Sequence, residues 1–422
     1  MERSRLKRAN GNWVVGDQFW GRKAELELFI QSLREEAHLL LTAPRRMGKT
    51  SLMKEAARRL EHEYLCLYVD LQKSHSAADA IVALSLATHP HASLWEKSQV
   101  LFSNVLKKAT DLVDSLQYDD ITVTLRSGLT EGNWREKGDH LFAVLAAAEK
   151  PVVVFFDEIA ILANRLLKGD DYRITPERRR QTDEFMSWLR QNSIIHKGKV
   201  RLVLTGSIGL APILRQAGLS ATLNTFSPFS LGPWSHEAAR GCVEALANEY
   251  GLKFAPQAVE GLVGELGCCI PHHVQLYFDT IYQACRLRDT QDVSVELVQE
   301  VYRRDMIGLR GHAALSHLEE RLKMMLSQED YVLALDLLTE AACTGALTAR
   351  AMQLLGQQHR QEEDPRSSAE VQREIIEVLE HDGYLSREGE EYRFVSKLLR
   401  DWWKAHFGFG YVPAAERQGV RP

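Results

Sequence analysis

The residues best suited to chemistry in this 422-residue chain are Gly48-Lys49-Thr50-Ser51 and the adjacent acids Asp157 and Glu158. The first group follows the apolar run Leu39, Leu40 and Leu41 and opens a helix expected to reach about Leu60. Strand, short loop and helix in that order form the layout of a phosphate-binding loop. Loop N–H groups and the positive end of the helix would wrap a β-phosphate, with Pro44, Arg45, Arg46 and Met47 forming the bend. Gly48 lets the main chain approach closely, Lys49 spans the β- and γ-phosphates, and Thr50 supplies a hydroxyl to Mg²⁺. One position departs from the G-x-x-x-x-G-K-[ST] template, which has Gly where this chain has Ala43. Pro44 biases Ala43 toward an extended conformation that Ala tolerates, so the loop is read as intact. The plainer alternative is a Gly-Lys-Thr tripeptide at an ordinary helix start.

The acids stand at the end of residues 151–159, PVVVFFDEI, where five apolar residues lead into two carboxylates. This fits a central parallel strand delivering acids at its carboxyl end, where open α/β sheets bind ligands. Asp157 is expected to hold Mg²⁺ and Glu158 to polarise an attacking water. Paired acids at a strand end mean little alone. About a hundred residues after a phosphate loop, with strands and helices between, they complete a nucleotide site.

The elements around these residues follow from periodicity. Residues 23–33 carry Leu26, Phe29, Ile30 and Leu33 at helical spacing, and the preceding Phe19-Trp20-Gly21-Arg22 either stacks on a purine base or staples the helix start. Residues 64–72 read as a buried strand, 77–116 as helical with a break near 89–91, 120–126 as a strand and 133–149 as a helix. Residues 163–175 read as a loop. A helix over 176–193 brings Arg178, Arg179, Arg180 and Arg190, read as a solvated basic face, with an intersubunit arginine finger as the alternative. Residues 200–207 form the next strand, ending in Thr205 and Ser207, and Ser207 is favoured as a γ-phosphate sensor over a plain helix cap.

After residue 232 the pattern is helical: 235–250, 256–267, 271–287 and on to about 309, a lid expected to fold over the nucleotide. Gly311 reads as a joint. Three further helices, a two-stranded hairpin around Glu388-Gly389-Glu390 and a closing helix through residue 407 read as a winged helix. The division expected is therefore 1–232 for the α/β core, 233–310 for the lid and 311–422 for the winged helix. Residues 311–422 carry 13 Lys and Arg against 19 Asp and Glu, and the hairpin tip is acidic. Phosphate neutralisation supplies most non-specific DNA affinity, so packing or protein contact is favoured over DNA reading. Trp402 and Trp403 are assigned to the core rather than to a stacking platform.

With 45% hydrophobic residues the chain can bury a large core, and its net charge of −5 implies no general attraction to nucleic acid or anionic membrane. The six cysteines show no metal or redox spacing, and with no apolar run of membrane-spanning length a cytoplasmic protein is expected. The basic residues 1–12 lack the apolar core of a secretory signal.

Six segments together resemble the archaeal-type ATPase family, a branch of the STAND signalling NTPases close to the AAA+ ATPases of the origin-recognition type. They are FWGRKAELELF at 19–29, APRRMGKTSLM at 43–53, VVVFFDEIAIL at 152–162 and RLVLTGSIGL at 201–210, with weaker support from GCCIPHHVQL at 267–276 and YRFVSKLLRDWW at 392–403. The resemblance implies an α/β P-loop ATPase core, a helical lid and a C-terminal winged helix. It also implies ATP or ADP with Mg²⁺ as ligands, Lys49 and Thr50 on phosphate and metal, Asp157 and Glu158 as the acid pair, and Ser207 as sensor. The family's lid Gly-x-Pro element corresponds to Cys269-Ile270-Pro271, with Cys in the Gly position, and the neighbouring His272 and His273 are candidates to reach the phosphates. No lid arginine stands there, and none lies in residues 226–231, unlike in many AAA+ motors.

The function expected is a slowly hydrolysing ATPase switch that controls a protein partner, with a homo-oligomer in the ATP state as a further expectation. The rival is a DNA-associated oligomeric ATPase, favoured by the basic helix and N-terminus and opposed by the acidic winged helix. A scaffold that has lost hydrolysis is a third reading, opposed by the presence of both Lys49 and Glu158.

Overall fold

In a computed structural model of the chain, residues 6–8, 11–101, 125–126, 129–130, 132–359 and 366–417 are described. They form two compact units, one of Ala24–Thr42 with Leu52–Leu231 and one of Met1–Lys23, Ala43–Ser51 and Gly232–Pro422.

The first unit is built on a five-stranded parallel sheet. Its strands are β1 (His38–Thr42), β2 (Leu65–Asp70), β3 (Val152–Asp157), β4 (Val200–Thr205) and β5 (Phe226–Ser230), in the order β2-β3-β4-β1-β5. Strands β3 and β4 lie inside the sheet with both faces covered, which is why they are continuous apolar runs rather than alternating ones. All five strands point the same way, so β1 and β3 end at the same edge with β4 between them. The helices Trp134–Ala146 and Pro176–Ile195 pack through Trp134, Phe142, Phe185 and Trp188. Their approach requires Gly138, where a Cβ would stand 2.5 Å from the Trp188 ring. Trp188 Nε1 donates to Asp139 at 2.7 Å, so the polar edge of the indole is satisfied where it is buried.

Three local expectations are corrected here. Residues 163–168 are not loop but the end of the helix Ile159–Lys168, whose buried face includes Ile159, Ala163 and Leu167. Residues 226–230, given no strand in the sequence reading, pair with β1 as an edge strand that accommodates Pro228. The strand expected over 120–126 lies mostly outside the described residues, and its two described members, Leu125 and Arg126, are helical.

The second unit is almost entirely helical. Its first part holds His236–Tyr250, Ala258–Leu266, Pro271–Leu287 and Val295–Val301, starting from Ser235 and Ser294 caps and from Pro271 in the first turn. Leu309–Met325 follows, and it corrects the reading of Gly311 as a joint: this residue sits inside the helix, where a Cβ would overlap the Met306 carbonyl. Then come Gln328–Thr344, Ala349–Gln358 and Ser368–His381, the antiparallel pair Leu385–Glu388 with Glu391–Phe394, and Lys397–Phe407. Trp402 and Trp403 are fully buried, and Trp403 Nε1 donates to Thr339 Oγ1 at 3.2 Å, so both belong to the core.

All six cysteines are free, and burial pushes the Cys66 and Cys242 thiols up to about 12, which makes them inert packing groups. Among the described residues no helix is long and apolar enough to cross a membrane.

Candidate functional site

The phosphate-type loop occupies Ala43–Ser51 of the second unit. Positive φ falls at Arg46 (69°) and Gly48 (91°) and not at Ala43. The left-handed turn therefore lies late in the loop, and the template's first Gly is not needed. A Cβ on Gly48 would meet nothing within 4 Å, so the backbone is left open on that side, as approach by a phosphate requires. Lys49 Nζ donates to the Ala43 carbonyl at 2.7 Å and reaches that of Pro44 at 3.3 Å. Thr50 is half-buried in the first turn of the helix Lys49–Leu60.

Three side-chain contacts brace this loop. Arg22, only 4% exposed, donates Nη2 to the carbonyls of Met47 at 3.0 Å and Gly232 at 2.6 Å. Ser51 Oγ accepts the Val14 N–H at 3.1 Å. Pro44 packs on Gly383, where a Cβ would stand 2.6 Å from the proline ring. Arg22 thus shapes the loop main chain, a role the sequence reading had not given it. Phe19 is half-buried, and Trp20 Nε1 donates to the Ala238 carbonyl at 2.9 Å.

Electrostatics around the loop oppose protonation of its histidines. Burial, then Arg46 and Arg45, lower His272 to about 4; burial, then His272, His317 and Arg46, lower His273 to about 3. Both are neutral at pH 7. Among the described residues, Arg46 Nε and His273 Nδ1 are buried and find no hydrogen-bond partner. Two orphaned buried polar groups, one of them in the loop itself and the other a neutral imidazole that feels the Arg46 charge, fit an anionic ligand better than a closed structural loop. The next layer includes the buried pair Arg321–Asp382 at 3.4 Å, immediately before Gly383.

The acid pair belongs to the first unit. Asp157 ends β3 and accepts the Glu158 N–H at 3.0 Å on Oδ1. Glu158 has φ 57° and ψ 26°, a left-handed conformation rare for a residue with a side chain. Its Oε2 accepts both the Ser207 N–H at 2.8 Å and the Ser207 hydroxyl at 2.7 Å. The sheet therefore brings the expected base and the expected sensor into direct contact, a pairing the sequence reading did not foresee. Asp70 stands opposite Asp157 in the β2–β3 register, a third carboxylate at this edge that the sequence reading had not singled out.

The adjacent arginines are tied within their own unit. Arg178 pairs with Asp171 and donates to the Lys168 carbonyl at 2.9 Å, Arg179 donates to the Ala217 carbonyl at 2.7 Å, and Arg180 pairs with Glu177. Among the described residues, Arg190 Nε is buried and finds no hydrogen-bond partner.

No protein-family model and no curated protein matches the chain. Solved structures do. The Walker-type ATPase PABY2304 of Pyrococcus abyssi is similar over 94% of this chain and 99% of its own, with 15% identity and a TM-score of 0.59. The ORC2 protein of Aeropyrum pernix, solved as ADPNP-ADP complexes, is similar over 92% of this chain and 93% of its own, with 13% identity and a TM-score of 0.50. At such identities the likeness is one of fold: the parallel-sheet α/β core has the P-loop NTPase fold.

Proposed function

We propose that this P-loop NTPase fold serves a nucleotide-operated switch, a slow ATPase whose C-terminal helices and hairpin respond to the nucleotide in the loop. The contact between Pro44 and Gly383 carries the reading, because a rearrangement of the phosphate loop is felt at once by the turn between the helix Ser368–His381 and the hairpin. Bound ATP and bound ADP then favour different placements of that turn, and the difference in affinity sets the shift. The division into a core over 1–232, a lid over 233–310 and a winged helix over 311–422 is part of the same proposal.

In this account the loop N–H groups and Lys49 bind the β- and γ-phosphates. Thr50 and Asp157 are the residues that would hold Mg²⁺, which supplies charge neutralisation on the phosphates when bound. Glu158 orients the attacking water and accepts its proton, and Ser207 positions Glu158 through its two hydrogen bonds. Neutral His273 and Arg46 complete the anion's surroundings, with Phe19 and Pro271 as candidate contacts to the rest of the nucleotide. The absence of an arginine in residues 226–231 supports slow turnover over motor hydrolysis.

The output is proposed to be a protein partner, with assembly in the ATP state as one route to it. The acidic residues 311–422 weigh against DNA as that partner. The direct test is binding of a fluorescent ADP, with Lys49→Ala expected to abolish it and Glu158→Gln to retain it while losing turnover. Wild-type protein that binds neither ADP nor ATP would end the proposal.

A further inference from the structure

The N-terminal segment carries an arrangement that the site does not use. Arg8 lies with its guanidinium carbon 4.2 Å from the Tyr282 ring centroid and 4.8 Å from that of Tyr250, and the two rings meet edge to face at 5.1 Å. Its Nη1 donates to Asp279, whose carboxylate is buried and also accepts from Gln283 Nε2 at 2.6 Å. Two aromatic faces and a buried acid form a recognition set for a planar cation. Burial alone would disfavour the charge, but Tyr250 and Asp279 hold the Arg8 pKa above its ordinary value. Without that cation Asp279 would be a buried charge left uncompensated between helices.

Residues 11–22 lie against the phosphate loop. A Cβ on Gly11 would stand 3.7 Å from Arg46 Nη1, the Val14 N–H bonds Ser51, and Arg22 holds the Met47 carbonyl. Leu6 is buried, and the Lys7 N–H donates to Gln18 Oε1 at 2.6 Å. Residues 11–22 therefore touch the loop at two points, Val14 and Arg22, and Arg8 touches the helices His236–Tyr250 and Pro271–Leu287. The second of those helices also carries His272 and His273, so one segment ties both sides of the candidate anion site.

We propose that Tyr250, Tyr282 and Asp279 form a guanidinium-binding site whose ligand is the chain's own Arg8, and that the docked segment is a strap that slows release of nucleotide from the loop. The second clause rests on the nucleotide reading above; the first does not. Docking orders the strap, the strap holds Ser51 and the Met47 carbonyl, and the lid helix cannot swing from the loop until Arg8 leaves its cage.

The test is hydrogen exchange of residues 271–287 together with release of a fluorescent ADP, in wild type, Arg8→Ala and Arg8→Lys. Arg8→Ala is expected to speed both by about tenfold, and Arg8→Lys to restore only part, because an ammonium keeps the charge and loses the planar stacking. Methylguanidinium at about 20 mM is expected to restore exchange protection to Arg8→Ala by refilling the cage. Tyr282→Leu, which keeps bulk and removes one aromatic face, gives the same direction if Arg8→Ala folds poorly. Wild-type exchange in Arg8→Ala, or protection recovered equally with Lys, overturns the guanidinium site. Faster exchange with unchanged ADP release overturns the strap alone, and a wild type that binds no ADP removes the nucleotide reading while the exchange result still decides the cage.

Discussion

Ser207 gives both its backbone N–H and its hydroxyl to the same carboxylate oxygen of Glu158. The serine expected to sense a phosphate thus acts on the expected base, and the two are better treated as one device. Removing the hydroxyl leaves the N–H bond in place and frees the carboxylate only partly. Ser207→Ala is expected to lower kcat by about tenfold with KM little changed, the cost of one hydrogen bond to a charged group. Glu158→Gln is expected to lose about a hundredfold or more. Steady-state ATPase rates check both. A Ser207→Ala enzyme with raised KM and intact kcat would return the serine to a phosphate-contacting role.

Arg22 supplies the second prediction. Its guanidinium is buried and joins the loop at Met47 to the segment at Gly232. Arg22→Ala leaves two carbonyls without this donor, at about 1–3 kcal/mol each if they stay dry, and Arg22→Lys cannot replace a planar fork. Both variants are expected to weaken ADP binding by at least about tenfold while secondary structure is kept. Calorimetric titration measures the loss, and unchanged affinity in Arg22→Ala would remove the brace.

A steric prediction follows at Gly383. Its φ of 79° is left-handed and its Cα faces Pro44, so Gly383→Ala introduces strain and a clash together. A loss of about 1–3 kcal/mol is expected. Gly389, also left-handed at 65° but with open space around it, is the control: Gly389→Ala is expected to cost about 1 kcal/mol from strain alone. Only the Gly383 variant is expected to change nucleotide release.

Acid sensitivity is the fourth. His272 and His273 have pKa values of about 4 and about 3 in the folded chain, below the ordinary histidine value. Between those values and pH about 6.5 the unfolded chain binds more protons than the folded one, so stability falls as pH drops. The contribution is complete above pH about 6.5 and is lost through the window down to about 3, with each group able to add a slope near 1.4 kcal/mol per pH unit. The double variant His272→Gln, His273→Gln is expected to show a flatter fall of Tm between pH 6.5 and 4.5. Asp336, held far below the carboxylate range against burial by hydrogen bonds from Arg417 and His359, contributes below that window. Equal slopes in wild type and variant would show that other groups govern acid unfolding.

The parts legible in the sequence were those with local signatures. Gly48-Lys49-Thr50 announces itself by spacing, and β3 by five apolar residues before two acids, because an inside strand has no solvent face to interrupt it. The helices of residues 236–301 and the C-terminal helices were legible through caps and apolar stripes. What escaped was set by tertiary pairing. The edge strand β5 holds Pro228 and alternates poorly, and the helix Ile159–Lys168 was hidden behind its polar second half. Arg22 with Gly232, Pro44 with Gly383, and Arg8 with Asp279 join residues more than two hundred positions apart, and no local pattern encodes such partners.

The central claim is that nucleotide in the loop governs the turn at Gly383. It is tested most directly by hydrogen exchange of residues 381–387 in Glu158→Gln, with Mg²⁺-ADP and then with Mg²⁺-ATP. The account predicts protection with ADP and exchange faster by about tenfold or more with ATP, as the turn leaves Pro44. Identical exchange in the two states, with both nucleotides shown to be bound, would contradict it.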